Sequence, residues 1–144
     1  MADLNHRSHG RYKYSPMRIS KNDVPERISV PGAVARQALD FGDAGPYGKM
    51  AGEYFSLAAG TDIKPLLIGL EGDLCQCPHW GFVVRGRITT TDANGVSETV
   101  QANDLFYWPP GHNVRVDADA EIVMFSPQRE HSRVIDHMIE KVRG

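Results

Sequence analysis

Both cysteines of the chain and one of its histidines lie within a single five-residue stretch. Cys75, Cys77 and His79 occupy alternate positions there. In an extended chain, alternate side chains point to the same face, so two thiols and an imidazole would share one face. Together these groups favour zinc, iron or a similar transition metal over magnesium or calcium. The stretch therefore predicts a metal site.

A further histidine, His112, follows a second strand-like run and is the best candidate for a fourth ligand. Four protein ligands would close the coordination of the metal, which suits a structural or sensing role, whereas three would leave a position open for catalysis. Glu53 could be a ligand, support a histidine or act as a general base. The alternative is that the cysteines are small apolar core residues and the histidines are hydrogen-bonded core residues.

Short strand-like runs alternate with clusters of turn-forming residues through the middle of the chain. Their spacing, roughly 8–12 residues, is typical of an all-β barrel or sandwich. The step Asn94-Gly95 between two alternating runs predicts a β-hairpin. The predicted strands cover residues 34–39, 50–58, 63–68, 82–84, 88–91, 96–100, 105–108, 114–116 and 121–125.

The end of the chain has a helical period instead. Its apolar residues fall at i, i+1, i+4, i+5 and i+8, which places them in one stripe along a helix. They are Val134, Ile135, Met138, Ile139 and Val142. A helix over 130–143 is therefore expected to pack on the barrel or on a second subunit, with His131 and His137 on its solvated face.

Residues 1–23 are polar, basic and aromatic, and they predict an arm that is disordered or docks on a partner through Tyr12 and Tyr14. Residues 24–144 are expected to form one domain. The start of the sequence lacks an apolar signal region, so the cytoplasm is the expected compartment. A disulfide between cysteines two residues apart would be strained, which agrees with reduced thiols in such a compartment.

Composition and charge exclude two classes of partner. The 144 residues are 41% apolar and 24% charged, as in ordinary globular domains. The formal net charge of -2 gives no electrostatic reason to expect nucleic acid or an anionic membrane. No apolar run approaches the ~18 residues of a membrane span.

Two motifs in these stretches resemble those of the cupin superfamily. The first family motif is G-x5-H-x-H-x3-4-E-x6-G, and His79-x6-Gly86 matches its second half, with His79 at the place of the metal-binding Glu. The second family motif is G-x5-P-x-G-x2-H-x3-N, and Asn103-x5-P-P-G matches its frame. The resemblance extends over residues 50–126, and this part of the chain is similar to small, single-domain, RmlC-like bacterial cupins.

The chain departs from the first motif at its H-x-H pair. Counting from Gly60 places Leu66 and Ile68 at these positions, and a shorter spacing places Asp73 and Cys75 there.

The histidine of the second motif falls on Val114, and His112 lies one strand period earlier. The usual site of three histidines and one glutamate is therefore absent. The resemblance implies a variant site formed by Cys75, Cys77, His79 and His112.

The resemblance implies a single-domain cupin β-barrel, that is, a double-stranded β-helix or jelly roll, with an N-terminal arm and a C-terminal helix. It also implies a homodimer and a small molecule bound in the barrel. The metal would be a divalent transition metal, with zinc first and iron or nickel as alternatives, or there would be none. The residues expected to line the cavity are Phe55, Leu66, Ile68, Val83, Trp108 and Val114.

Three functions stay open at this point. One is a metal-dependent enzyme acting on a small molecule, with Glu53 as the candidate catalytic base. The second is a non-enzymatic binding or sensing module with a closed metal site or no metal. The third is a protein with a dry, packed barrel that acts through assembly, its dimer formed by the N-terminal arm and the helical stripe. Because this barrel hosts many functions, the resemblance assigns no reaction.

Overall fold

The computed structural model of the chain describes residues 17–43 and 45–144. Tyr12 and Tyr14, and with them most of the predicted arm, lie outside the described residues. At the end of that segment, Lys21–Asp23 form a 3-10 turn, and the ammonium group of Lys21 pairs with the Glu121 carboxylate. The chain is thus anchored on the folded domain before its first strand.

Within the described residues, one antiparallel sheet of seven strands dominates the fold, which confirms the all-β prediction. The strands are β1 (Glu26–Val30), β2 (Ala33–Ala38), β3 (Met50–Leu57), β4 (His79–Asp92), β5 (Ser97–Gln101), β6 (Leu105–Trp108) and β7 (His112–Pro127). Their order in the sheet is β1-β2-β3-β7-β4-β5, with β6 paired to β4. The sheet does not close on itself, which is compatible with a jelly roll.

The long strands β4 and β7 form the middle of the sheet. They pair from Trp80 opposite Phe125 to Asp92 opposite His112, with register shifts around Gly86. The sequence predicts each of them as two shorter strands. Because the register shifts bend the ladder without ending it, each strand is continuous.

The hairpin between β4 and β5 confirms the prediction made from Asn94-Gly95. The Asp92 carboxylate accepts hydrogen bonds of 2.9 Å from the backbone N–H groups of Asn94 and Val96. Gly95 has a φ of 82°, a conformation that glycine adopts at little cost. The turn chemistry of the sequence therefore sets this connection locally.

The prediction of a strand over residues 63–68 is wrong. The segment contains a helical turn, α1 (Lys64–Leu67), which has proline near its start. Proline suits the first turn of a helix, and the Asp62 carboxylate accepts a 2.9 Å hydrogen bond from the Lys64 N–H. The turn buries Leu67 completely in an apolar cluster with Cys75 and Cys77.

The C-terminal helix α2 (Gln128–Arg143) confirms the helical stripe. Val134, Ile135 and Met138 are buried against the chain's own domain. The expectation that His131 is solvated is wrong, since it is 3% exposed. It lies three and four residues before Val134 and Ile135, which places it on the buried face of the helix. None of the helices in the described ranges is long and apolar enough to span a membrane.

We predict that Gly86→Ala destabilises the protein far more than Gly95→Ala. Both glycines have positive φ, which costs alanine about 1–2 kcal/mol. A Cβ at Gly86 would overlap the carbonyl oxygen of Asp119 and lie 2.5 Å from the Cα of Ala120, whereas no described neighbour lies within 4 Å of one at Gly95. The free energy of unfolding in urea should fall by about 3 kcal/mol or more for Gly86→Ala. Equal losses for the two variants would contradict this packing.

Candidate metal centre

Three buried side chains with metal-binding atoms meet where β4 and β7 begin. His79 opens β4 and pairs with Trp108 of β6, and the turn after Trp108 leads to His112, which opens β7. Cys75 is bridged to His112 through its backbone, with a Cys75 N–H to His112 carbonyl distance of 2.9 Å. One ligand atom from each of Cys75, His79 and His112 lies within 4.8 Å of the others.

The protonation of His112 follows from its hydrogen bond. Its Nδ1 lies 2.6 Å from the backbone carbonyl oxygen of Pro109. Because a carbonyl oxygen only accepts, Nδ1 carries the proton and donates it. In the neutral ring, Nε2 is therefore left with a free lone pair, which is the form that a metal binds.

The protonation of His79 is set through a serine. The Ser126 hydroxyl donates a 2.6 Å hydrogen bond to Oε1 of Glu53, so its single proton is already used. It must therefore accept from Nδ1 of His79, which lies 2.6 Å away. Nε2 of His79 is then left with its lone pair and lies 3.6 Å from Sγ of Cys75.

Glu53 is a buried carboxylate whose oxygens are saturated by hydrogen bonds. Besides the Ser126 hydroxyl, it accepts from Nε2 of Gln37 at 2.9 Å and from Nδ1 of His131 at 2.5 Å. The Arg27 guanidinium group donates a hydrogen bond to the side-chain oxygen of Gln37 and so holds the Gln37 amide in place. Of the three roles predicted for Glu53, this geometry corresponds to the support of a histidine.

A second group of potential ligands consists of Glu53, His79 and His131. Its atoms are already engaged, because Glu53 accepts from His131 and, through Ser126, orients His79. A cation in this group would have to displace these hydrogen bonds. In the group of Cys75, by contrast, a cation needs only to replace the thiol proton. The group of Cys75 is therefore the better metal centre.

Cys77 occupies a different position from the other predicted ligands. Its Sγ lies 3.3 Å from the carbonyl oxygen of Pro78 and 3.9 Å from that of Pro127. Among the residues that the structure describes, it belongs to neither group of potential ligands. The alternation predicted for the stretch therefore holds for Cys75 and His79, whose ligand atoms lie together, but does not bring Cys77 into their group.

Burial makes the centre electrically neutral. It raises the pKa of the Cys75 thiol to about 12 and also raises the pKa of Cys77. Burial lowers the pKa of His79 well below the usual value and lowers that of His112 to about 4. Near neutral pH the thiols are protonated and these two imidazoles are uncharged. Binding of a cation would therefore release the proton of Cys75.

An apolar cavity of about 90 Å³ adjoins the centre, and Cys75, His79 and His112 form part of its wall. Four of the six residues predicted to line it do so, namely Phe55, Leu66, Trp108 and Val114. The other two lie elsewhere. Ile68 is 52% exposed on the surface, and Val83 is buried in the apolar core.

Comparison with known proteins gives likeness in structure alone. No protein-family model matches the sequence, and no curated protein is significantly similar to it. The oxalate decarboxylase of Lactobacillus farciminis, in a formate complex, matches with a TM-score of 0.55 and 23% identity over 81% of this chain and 34% of its own. The oxalate decarboxylase of Bacillus subtilis matches with a TM-score of 0.54 and 20% identity over 84% and 31%.

A third match is an RmlC-like cupin from Shewanella frigidimarina, with a TM-score of 0.52 and 16% identity over 83% of this chain and 96% of its own. The chain therefore has the cupin fold, as its two motifs predict. It spans about a third of the length of the oxalate decarboxylases that it matches. Identities this low establish the fold and leave the function to the residues of the site.

We predict that the metal-free protein becomes less stable as the pH falls from about 6.5 to 4. Unfolded histidine binds a proton near pH 6.5, whereas folded His112 does so only near pH 4, so acid favours the unfolded chain. For His112 alone the loss amounts to roughly 3 kcal/mol. Urea unfolding measured across this range should show a smaller dependence on pH for His112→Gln than for the wild type. Identical slopes would contradict the buried neutral imidazole.

Proposed function

We propose that this protein binds one divalent transition metal through Cys75, His79 and His112 and holds a small organic molecule in the adjoining cavity. One observation carries the proposal: a ligand atom from each of Cys75, His79 and His112 lies within 4.8 Å of the others. Hydrogen bonds occupy Nδ1 of both imidazoles, and Nε2 of His79 lies 3.6 Å from Sγ of Cys75. A cluster of free donors at the wall of a cavity is the arrangement that a bound metal requires.

Zinc suits one thiolate and two imidazoles, with iron or nickel as alternatives. Three protein ligands leave room on the metal for a molecule from the cavity, toward which the metal would act as a Lewis acid. Glu53 is assigned a positioning role, since it holds the proton on Nδ1 of His79 through Ser126. This role replaces that of catalytic base, because its oxygens already accept three hydrogen bonds.

The fold alone does not determine which reaction an enzyme of this kind would catalyse. The matched structures include oxalate decarboxylases, but their identity to this chain is at most 23%. Among the described residues that line the cavity, only Cys75 and the histidines carry groups suited to proton transfer. A binding or sensing module is therefore the second candidate.

Both cysteines are free thiols, which supports a reducing compartment such as the cytoplasm.

We predict that Cys75→Ser removes the metal while Cys77→Ser retains it. Serine lacks the thiolate, and only Cys75 shares its surroundings with the free lone pairs of the histidines. Elemental analysis of the purified untagged protein should find one metal per chain in the wild type and in Cys77→Ser. His79→Ala and His112→Ala should lose it.

The matched cysteine variants make this test decisive. Both thiols are buried, so a general loss of packing should affect the two variants alike. Loss of metal in both, with the folded circular dichroism spectrum retained, would point to the four-ligand site that the sequence suggests. Absence of metal from the wild type, even after incubation with zinc, would remove the proposed centre.

We further propose that the protein is a homodimer that buries the outer face of β4, β6 and β7. This aromatic face is defined by Trp80, Phe82, Val84, Leu105, Tyr107 and Phe125, each between 37% and 83% exposed. The residues are in register, since Trp80 lies between Tyr107 and Phe125, and Phe82 lies opposite Leu105. The structure thus exposes a continuous apolar strip on one side of the sheet.

The size and charge of the aromatic face fit a second copy of the chain. Its four aromatic side chains alone expose roughly 350 Å², and stable interfaces bury about 800 Å² per partner. The six residues of the face carry no charge, so a two-fold axis would bring no like charges together at its centre. Arg85 and Glu121 at its edge already form an ion pair within the chain, at 3.8 Å, so they would bring no uncompensated charge to the interface.

We predict that Leu105→Lys dissociates the dimer, because it places two ammonium groups near each other on a desolvated face. Leu105 is 83% exposed, so the monomer should fold normally. Val96→Lys is the matched control, since Val96 is 63% exposed in the β4–β5 turn, away from the aromatic face. Sedimentation at micromolar concentration should show a dimer for the wild type and control. A monomeric wild type would contradict the proposal.

A further inference from the structure

The cavity beside the proposed metal centre has a polar end and an apolar end. Cys75, His79 and His112 lie at the polar end, joined by His131 of α2. The remainder of the wall is almost entirely hydrocarbon from β1, β2, β3, β6, β7, α1 and α2. It includes Ile28, Val30, Ala35, Leu66, Val134 and Met138.

Charged side chains are absent from this wall. Among the described residues that line the cavity, none is Lys, Arg, Asp or Glu. The nearby guanidinium group of Arg27 is already bound to Gln37 and, at 2.5 Å, to Asp136. A charged group held against this hydrocarbon wall would therefore lose part of its hydration without gaining a partner.

The two ends also differ in their access to solvent. His79 and His112 are 2% and 1% exposed, whereas Val142, which lines the cavity from the last turn of α2, is 41% exposed. The polar end is therefore deep and the apolar end contains the mouth. At 10–15 Å³ for each water-sized group, a cavity of about 90 Å³ has room for roughly six to nine such groups.

We infer that the ligand of this cavity is a small amphiphile with one polar group and an uncharged hydrocarbon body. The polar group lies at the histidine end, and the body extends along the apolar wall toward Val142. The cavity discriminates against molecules of the same length with a second charged group. This inference rests on the proposed function in that the metal receives the single polar group.

The test compares hexanoate with adipate, which has the same six carbons but a carboxylate at each end. Calorimetric titration of the full-length, zinc-loaded protein should show hexanoate binding about tenfold more tightly, because the hydrocarbon rim of the mouth near Val142 removes part of the hydration of the second carboxylate of adipate and offers it no partner. Equal or tighter binding of adipate would overturn the inference.

A variant with improved binding of adipate provides a second test of the ligand's orientation. Val142→Lys places an ammonium group at the exposed mouth, where its long side chain can reach both water and the cavity. The variant should improve adipate binding relative to hexanoate by about tenfold, since it supplies the missing counter-charge. Val142→Leu, which keeps the position apolar, should retain the preference of the wild type. An unchanged ratio in Val142→Lys would count against the proposed orientation.

Metal analysis of the same samples separates this inference from the proposed function. One zinc per chain without hexanoate binding would overturn the ligand class and leave the metal centre standing. Preferential hexanoate binding by a chain that takes up no metal would overturn the metal centre and leave the ligand class standing.

Discussion

The buried carboxylate of Glu53 is the constraint on which the site depends. An ion in the protein interior is tolerated only when its hydrogen bonds are complete, and Glu53 obtains them from three separate elements. Gln37 comes from β2, Ser126 from β7 and His131 from α2. These bonds fix the helix against the sheet and, through Ser126, fix the proton of His79. Stability and ligand orientation therefore share one network.

Neutrality is the second consequence of burial. Because desolvation keeps Cys75 protonated and His79 and His112 uncharged, the centre holds neutral donors and one exchangeable thiol proton. A bound cation would restore charge at the polar end of the cavity, while the rest of its wall is hydrocarbon. The contrast between the two ends gives a ligand only one favourable direction, with its polar group inward.

The likeness to the matched structures extends to the path of the backbone and stops at the candidate ligand set. The chain shares its fold with oxalate decarboxylases and with an RmlC-like cupin at 16–23% identity. Its own sequence has His79 at the place of the motif's glutamate and, at the shorter spacing, Asp73 and Cys75 at the places of its paired histidines. A common barrel with a changed donor set is consistent with functions residing in sites carried by a fold.

The sequence alone determined the features that depend on near neighbours. Asn94-Gly95 sets a hairpin, the apolar stripe sets α2, and the spacing of Cys75 and His79 places both at one centre. These features need only the local period of a strand, a helix or a turn.

Only the tertiary structure decided which distant residues complete the site. Ser126 and His131 reach Glu53 across 73 and 78 residues of chain, and no local period encodes such contacts. The same holds for Cys77, whose Sγ lies 3.9 Å from the carbonyl oxygen of Pro127, 50 residues along the chain, and which is outside the group of Cys75, His79 and His112. The ligand set thus depends on how β3, β7 and α2 pack together, which is a property of the assembled fold.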